Sequence, residues 1–307
     1  MWHLYALYNG KWVDILNKSN NIGWGSDKDT LAVSLSFESL YNLEEGTHIT
    51  LKKDSKVVFL GLIISKNKGK FKNSYTCMDY AFYLNKNKLI IQFNKVNGTN
   101  AIKQLCSKLG IKSNIVQINT LITKIHKDSE ASKIIEDILE QSHLETNNIY
   151  IKEMISDTLY VRKLSDLKIK PKILIGKDIT VNSTIENMFT KVLVVSSDEK
   201  NNRILASAED KNNILKFGML QEVITVAEKK DESKAKNMAN NFLKENNKVA
   251  KDVTIPLVVG ELGEDIIANR MINISIPTIG VDGWYRIKSA SHTLAKNNHK
   301  VSISIEF

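Results

Sequence analysis

The chain opens on two short strand-like segments, Trp2–Tyr8 and residues 11–16, that flank Asn9-Gly10. It closes on a stretch in which Val301, Ile303, Ile305 and Phe307 alternate with Ser302, Ser304 and Glu306. Asn-Gly between apolar runs is the strongest short-range hairpin signal, because both central residues of the matching turn take positive φ. Strict alternation turns one face of a strand into a core and the other into water. Both ends of the chain are thus committed to antiparallel β-structure, and an all-helical fold is excluded.

The stretch between them keeps this rhythm in part. Residues 31–37, 48–51, 56–64, 75–84 and 89–93 read as further strands. Residues 100–109 then read as a helix, with Thr99 as its cap and Gly110 past its end. A second helix carries the stripe Ala131, Ile134, Ile135, Ile138 and Leu139, with Asp128 or Ser129 as cap. A hairpin at 149–163 turns at Ser156-Asp157. Pro171 opens a third section, with strands at 189–196, 203–208, 214–217 and 220–227 around asparagine-rich turns at 198–202 and 210–213. A helix capped by Asp231 follows, with Ala235, Met238, Ala239 and Phe242 on one face, then strands near 252–259, 270–276, 284–293 and 299–307. The expected fold class is mainly β with an α+β insertion. Its expected sections are 1–95 (a first β-barrel), 96–168 (an α/β module) and 169–307 (a second β-barrel region with one helix), with segments free to interleave.

Charge and sulfur narrow the function classes. The 43 basic and 34 acidic residues give +9, spread as +5, +1 and +3 over the three sections, with only Arg162, Arg203, Arg270 and Arg286 as arginines. Arginine's planar fork suits base and phosphate recognition, so its scarcity argues against a base-reading protein. The one local concentration, Lys66, Lys68, Lys70 and Lys72 with Phe71 and Tyr75 nearby, reads either as a strand-tracking stripe or as a solvated, lysine-protected turn. The two cysteines, Cys77 and Cys106, stand alone and fit a chain made in a reducing cytoplasm. The longest apolar run, 57–64, is too short to cross a bilayer, and the N-terminus has no signal-peptide pattern.

Catalytic and metal motifs are missing from the sequence, so no catalytic residue, cofactor or metal ligand is assigned. Gly23-Trp24-Gly25-Ser26 reads as a loop with no helix behind it to hold a phosphate. Glu136 and Glu140 share a helix face next to Lys133 and read as solvated. The six histidines show no metal-ligand spacing, and His292 reads as a structural strand residue. Asp79, set among aromatics in an expected strand, reads as a satisfied acceptor that fixes a bend.

The order of motifs resembles a known family. Residues 75–84, with Tyr75, Asp79, Tyr80, Tyr83 and Leu84, are similar to the Asp-containing, Tyr-Leu-ending stretch of contractile-tail baseplate hub proteins. That family is found in myophages, PBSX-like prophages and R-type bacteriocins, and is related to the first half of type VI spike proteins. The likeness runs on through the helix at 131–143, the hairpin after it and the Ala-rich helix at 232–247. It ends at Gly283, Tyr285 and His292, which resemble the family's closing Gly-x-Tyr-x-Val…His strand. Residues 264–270 stand where the family often carries a Pro-Gly-Asp turn. The resemblance implies two tail-tube-like β-barrels per subunit and a homotrimer that adapts a sixfold tail tube to a threefold spike. Implied partners are the central spike, a tail-tube or tube-initiator protein, the tape measure and a LysM-type baseplate protein, with no membrane and no specific nucleic acid. Assembly would occur in the bacterial cytoplasm, leaving the chain in the baseplate of a virion or tail-like particle. Two alternatives stand beside it: a tail-associated peptidoglycan hydrolase using Asp79 or a glutamate, and a single-stranded nucleic-acid-binding barrel using the Lys66–72 stripe.

Overall fold

In the computed structural model, which describes residues 1–176, 179–197, 203–226, 229–296 and 298–306, Asn9 and Gly10 take φ of 48° and 75°. They close the hairpin between Trp2–Tyr8 and Lys11–Asp14, with Tyr8 opposite Lys11. From this hairpin a curled, half-barrel sheet of fourteen described strands extends, eleven of them in the order Lys11–Asp14, Trp2–Tyr8, His48–Lys53, Lys56–Lys68, Asn73–Asp79, Ser34–Ser39, Ser19–Asp27, Val281–Ala295, Asn298–Glu306, Ala250–Val259, Ile173–Ile175. Thr180–Thr184 also pairs with Ala250–Val259, Met271–Ile276 with Val281–Ala295, and Lys168–Ile169 with Met271–Ile276. The first and last segments of the chain therefore share one sheet. The expected mainly β class holds.

The strand Val281–Ala295 makes this sharing work. Its first half pairs with Met271–Ile276, and its second half pairs with Ser19–Asp27, from Ser289 opposite Asp27 to Leu294 opposite Ile22. An irregularity in its pairing with Asn298–Glu306, between Ile287 and Ser289, lies at the changeover. Such bulges bend and twist a strand, which lets it pass from one packing surface to the next. Two cores lie along the sheet. One gathers Trp2, Leu4, Trp24, Phe37, Leu51, Ile63 and Tyr75; the other gathers Val253, Ile255, Ile274, Ile287, Val301, Ile303 and Ile305. Val301, Ile303 and Ile305 face inward as their alternation predicts, while Phe307 lies outside the described residues.

The helices are α1 (Ala81–Lys86), α2 (Gly98–Lys108), α3 (Ala131–Thr146), α4 (Lys211–Phe217) and α5 (Ala235–Asn246). α2 and α3 pack with the ribbon Lys88–Asn97/Leu121–Glu130 and the hairpin Tyr150–Ile155/Thr158–Lys163 around a third core. The α3 stripe is fully buried at Ile134, Ile135 and Ile138, each contributing about 1.5–3 kcal/mol of apolar transfer. α5 covers one face of a small sheet, Lys191–Ser196 between Ile204–Glu209 and Gln221–Val226.

Several local expectations are corrected. Residues 75–84 are not one strand: Asn73–Asp79 ends at Asp79 and α1 begins at Ala81. Gly23-Trp24-Gly25-Ser26 is not a loop but the middle of an interior strand, because Ile22 and Trp24 alternate into the core across the glycines. Residues 214–217 form α4 rather than a strand. The Asp210 carboxylate accepts from the amides of Asn212 and Asn213, so the expected turn is a cap plus a first helical turn. Asn97, not Thr99, caps α2, accepting from the Asn100 amide at 2.9 Å. Thr99 Oγ1 instead accepts from the Ile118 amide and donates to the Val116 carbonyl. Neither Asp128 nor Ser129 caps α3; Glu130 holds that position without a side-chain bond. The expected turn at 198–202 and the Asp231 side chain lie outside the described residues.

Candidate functional site

The family-like residues near position 80 form a knot where the half-barrel meets the α/β core. Tyr75 is buried against Phe37, accepts from the Leu43 amide at 3.0 Å and donates to the Tyr41 carbonyl at 2.7 Å. Asp79 is 4% exposed. Its two carboxylate oxygens accept one backbone amide each, from Val33 and Ala81, both at 3.1 Å. Burial pushes its carboxyl up to about 7 against the pull of these two bonds. Gly61 lies opposite Asp79 in the neighbouring strand; a Cβ there would stand 2.1 Å from the Met78 carbonyl oxygen. Tyr80 bonds His48 Nδ1 at 2.8 Å, Leu84 is buried in the α/β core, and Tyr83 is partly exposed. Asp79 thus serves as an acceptor at a strand-to-helix bend.

The C-terminal residues form a second knot. Gly283 takes φ of 146° and pairs with Ile274, and Tyr285 Oη accepts from the Asp282 amide. His292 is 1% exposed and stacks on Trp24 at 4.7 Å between centroids. Its Nε2 bonds the Ile266 carbonyl at 2.7 Å, and its Nδ1 lies 2.9 Å from Nε2 of His299. His299 also stacks on Trp24 and meets Trp2 edge-on. Trp2, Trp24, His292 and His299 therefore lock N-terminal strands to C-terminal ones. Sequence reasoning missed Trp24, taken as a loop residue, and His299, counted among scattered histidines. The signal that could have found them is their alternation with apolar neighbours on two strands.

The substitute for the family's Pro-Gly-Asp turn also has a place. Glu264 pairs with Lys53 at 2.8 Å and Asp265 with Lys56, tying residues 264–270 to the hairpin His48–Lys53/Lys56–Lys68. Glu136 is held by Lys133 and Lys152. The lysine stripe divides: Lys66 pairs with Glu44, Lys72 with Glu38, and Lys70 lies over the exposed Phe71 ring. Among the described residues no group of three or more His, Cys, Asp or Glu is placed to hold a metal.

Both ends of the sheet are open. Lys11–Asp14 at one end, and Ile173–Ile175 with Thr180–Thr184 at the other, have no strand partner on their outer sides among the described residues. Apolar side chains stand exposed there: Trp12 at the first end, and Leu174, Val181 and Val258 at the second. Leu174 sits directly opposite Val258 in the register and is 72% exposed. Unpaired edges with exposed apolar residues are templates for further strand pairing.

A model of the YQBQ-like family matches residues 22–306. The chain belongs to that family. Among its relatives, the phage-like element PBSX protein XkdQ of Bacillus subtilis (strain 168) is 22% identical, over 99% of this chain and 97% of the relative. The 43 kDa tail protein of prophage MuSo2 from Shewanella oneidensis shares the fold with a TM-score of 0.73 at 12% identity, covering 99% of this chain and 98% of the other. A chain of the Francisella PdpA-VgrG complex gives a TM-score of 0.55 at 10% identity, covering 99% of this chain and 52% of that one. The resemblance to phage baseplate-type proteins read from the motifs therefore holds for this YQBQ-like chain.

Proposed function

We propose that this YQBQ-like protein is a structural baseplate hub of a contractile phage tail or tail-like particle. In this reading it is a homotrimeric adaptor between a sixfold tail tube and a threefold central spike. The observation that carries the proposal is the fold shared with a prophage tail protein over almost the full length of both chains. The half-length match in the PdpA-VgrG complex supports a fold that continues into further segments in other proteins, as a hub contacting a spike would require. The open sheet ends with Trp12, Leu174, Val181 and Val258 supply surfaces on which copies can meet head to tail, and such heterologous contacts build rings when the rotation closes.

The role is mechanical and non-enzymatic. Asp79, the acid that a hydrolase would use, has both oxygens taken by backbone amides, and sugar hydrolysis requires a second carboxylate facing it across a cleft. Partners on this reading are the spike, the tube or its initiator, the tape measure and a LysM-type baseplate protein, with assembly in the bacterial cytoplasm. The test is co-expression with a spike protein and a tail-tube protein of a contractile tail, followed by light scattering and electron microscopy. Co-purification as a ring on the spike is expected; a monomer that binds neither partner overturns the reading. Clearing of purified peptidoglycan, abolished by Asp79→Asn, would replace it with the hydrolase.

A further inference from the structure

Residues 260–270 cross from Ala250–Val259 to Met271–Ile276 and lie as a strap over the N-terminal strands. Its anchors come from separate elements. Glu264 pairs with Lys53, Asp265 with Lys56, and the Ala268 amide donates to Ser26 Oγ at 2.8 Å. Asn269 Oδ1 accepts from Arg286, and Arg270 pairs with Glu153 at 2.6 Å. At the centre, the Ile266 carbonyl accepts from His292. Below the strap is a cavity of about 190 Å³, lined in part by Trp24, Ser26, Asp79, Glu264 and Arg270. The indole N–H of Trp24, beside that cavity, is buried without an acceptor.

The proton positions on the two histidines follow from their partners. A carbonyl oxygen has no proton to give, so His292 Nε2 carries one and donates it to Ile266. His292 Nδ1 is then the acceptor for the Nε2–H of His299. Both rings are neutral in this arrangement. A further proton on His292 Nδ1 sets N–H against N–H and breaks the pair. A further proton on His299 places a charge among Trp2, Trp24 and the ammonium of Lys53, with Glu264 the acidic group acting on it among the described residues. Burial, with His299 beside it, drives His292 down to about 3, and burial with Lys53 drives His299 down to about 4.

We propose that residues 260–270 are an acid-released latch: protonation of the His292–His299 pair detaches the strap from the sheet and opens the cavity to water, while the α/β core stays folded. The inference rests on the chain's own contacts and stands whether or not the hub reading does. The sign is fixed by the direction of the shifts. Both histidines are harder to protonate in the fold than in the open chain, so the latch holds above their ordinary value of about 6.5 and weakens as pH falls below it.

Amide hydrogen exchange on the full chain tests this, read at about pH 7 and about pH 4.5 and corrected for the intrinsic pH dependence of exchange. Peptides covering 260–270 should exchange about tenfold faster at the lower pH while those of α2 and α3 stay protected. In His299→Gln, which keeps an N–H donor but removes one of the two titrating groups, that increase should shrink, the remainder being due to His292. Glu264→Gln should loosen the strap at both pH values alike. Loss of protection in the strap and in α3 together, no change in either, or an unaltered pH response in His299→Gln would each overturn the latch. Should His299→Gln fail to fold, the wild-type contrast between strap and α3 decides alone.

Discussion

At the scale of single residues, the bend at position 79 depends on two choices that no substitution reproduces. Gly61 is there because the facing backbone comes too close for a Cβ. Gly61→Ala should therefore cost more than about 2 kcal/mol, as overpacking against rigid backbone does, measured by urea unfolding. A loss under about 0.5 kcal/mol would mean the strands separate without strain. Asp79→Asn leaves one of two backbone amides without an acceptor, at about 1–3 kcal/mol. Its pH dependence has a definite sign. With the carboxyl raised to about 7 in the fold, its contribution is full near pH 4 and declines as pH rises to 7, by about 4 kcal/mol at most. The asparagine variant lacks that slope, so its penalty should be largest near pH 4 and smallest above pH 7. Equal penalties at pH 5 and pH 8 would contradict the buried, protonated carboxyl.

At the scale of elements, legibility followed local chemistry. The Asn9-Gly10 hairpin, the α3 stripe and the last strand could be read because one short pattern determines each. The strand Ser19–Asp27 could not: Gly23 and Gly25 imitate a loop, and only pairing with Val281–Ala295, far along the chain, makes an interior strand of it. α4 was hidden because residues 214–217 are apolar enough for a strand, and the deciding signal was the Asp210 cap. Tyr75, Asp79 and His292 were identifiable as motif residues, but the Trp24–His299 stack and the Glu264–Lys53 tie join residues too distant for spacing to reveal. The sheet edge makes its own prediction. Leu174 and Val181 face solvent, so Leu174→Lys with Val181→Lys should change the stability of the single chain by less than about 0.5 kcal/mol while abolishing assembly. Unchanged assembly would remove this edge from the interface.

At the scale of the whole molecule, one curled sheet joins both ends of the chain, and the α/β core and the α5-covered sheet are built from the segment between them. Such a plan would suit the proposed adaptor role, since pulling the two halves apart must break the pairing of Ser19–Asp27 with Val281–Ala295 and the strap over it. Some of the lysines are held in ion pairs such as Lys66–Glu44 and Lys53–Glu264, while the mild net excess of +9 stays unneutralised within the chain. The central claim is that copies of this chain close into a threefold ring. Native mass measurement of the purified full-length protein, over a range of concentrations and alongside the Leu174→Lys/Val181→Lys variant, tests it most directly. The account predicts a species of three times the 34.7 kDa chain that the variant does not form. A wild-type protein that remains a single 34.7 kDa chain at every concentration, with or without its spike partner, would contradict it.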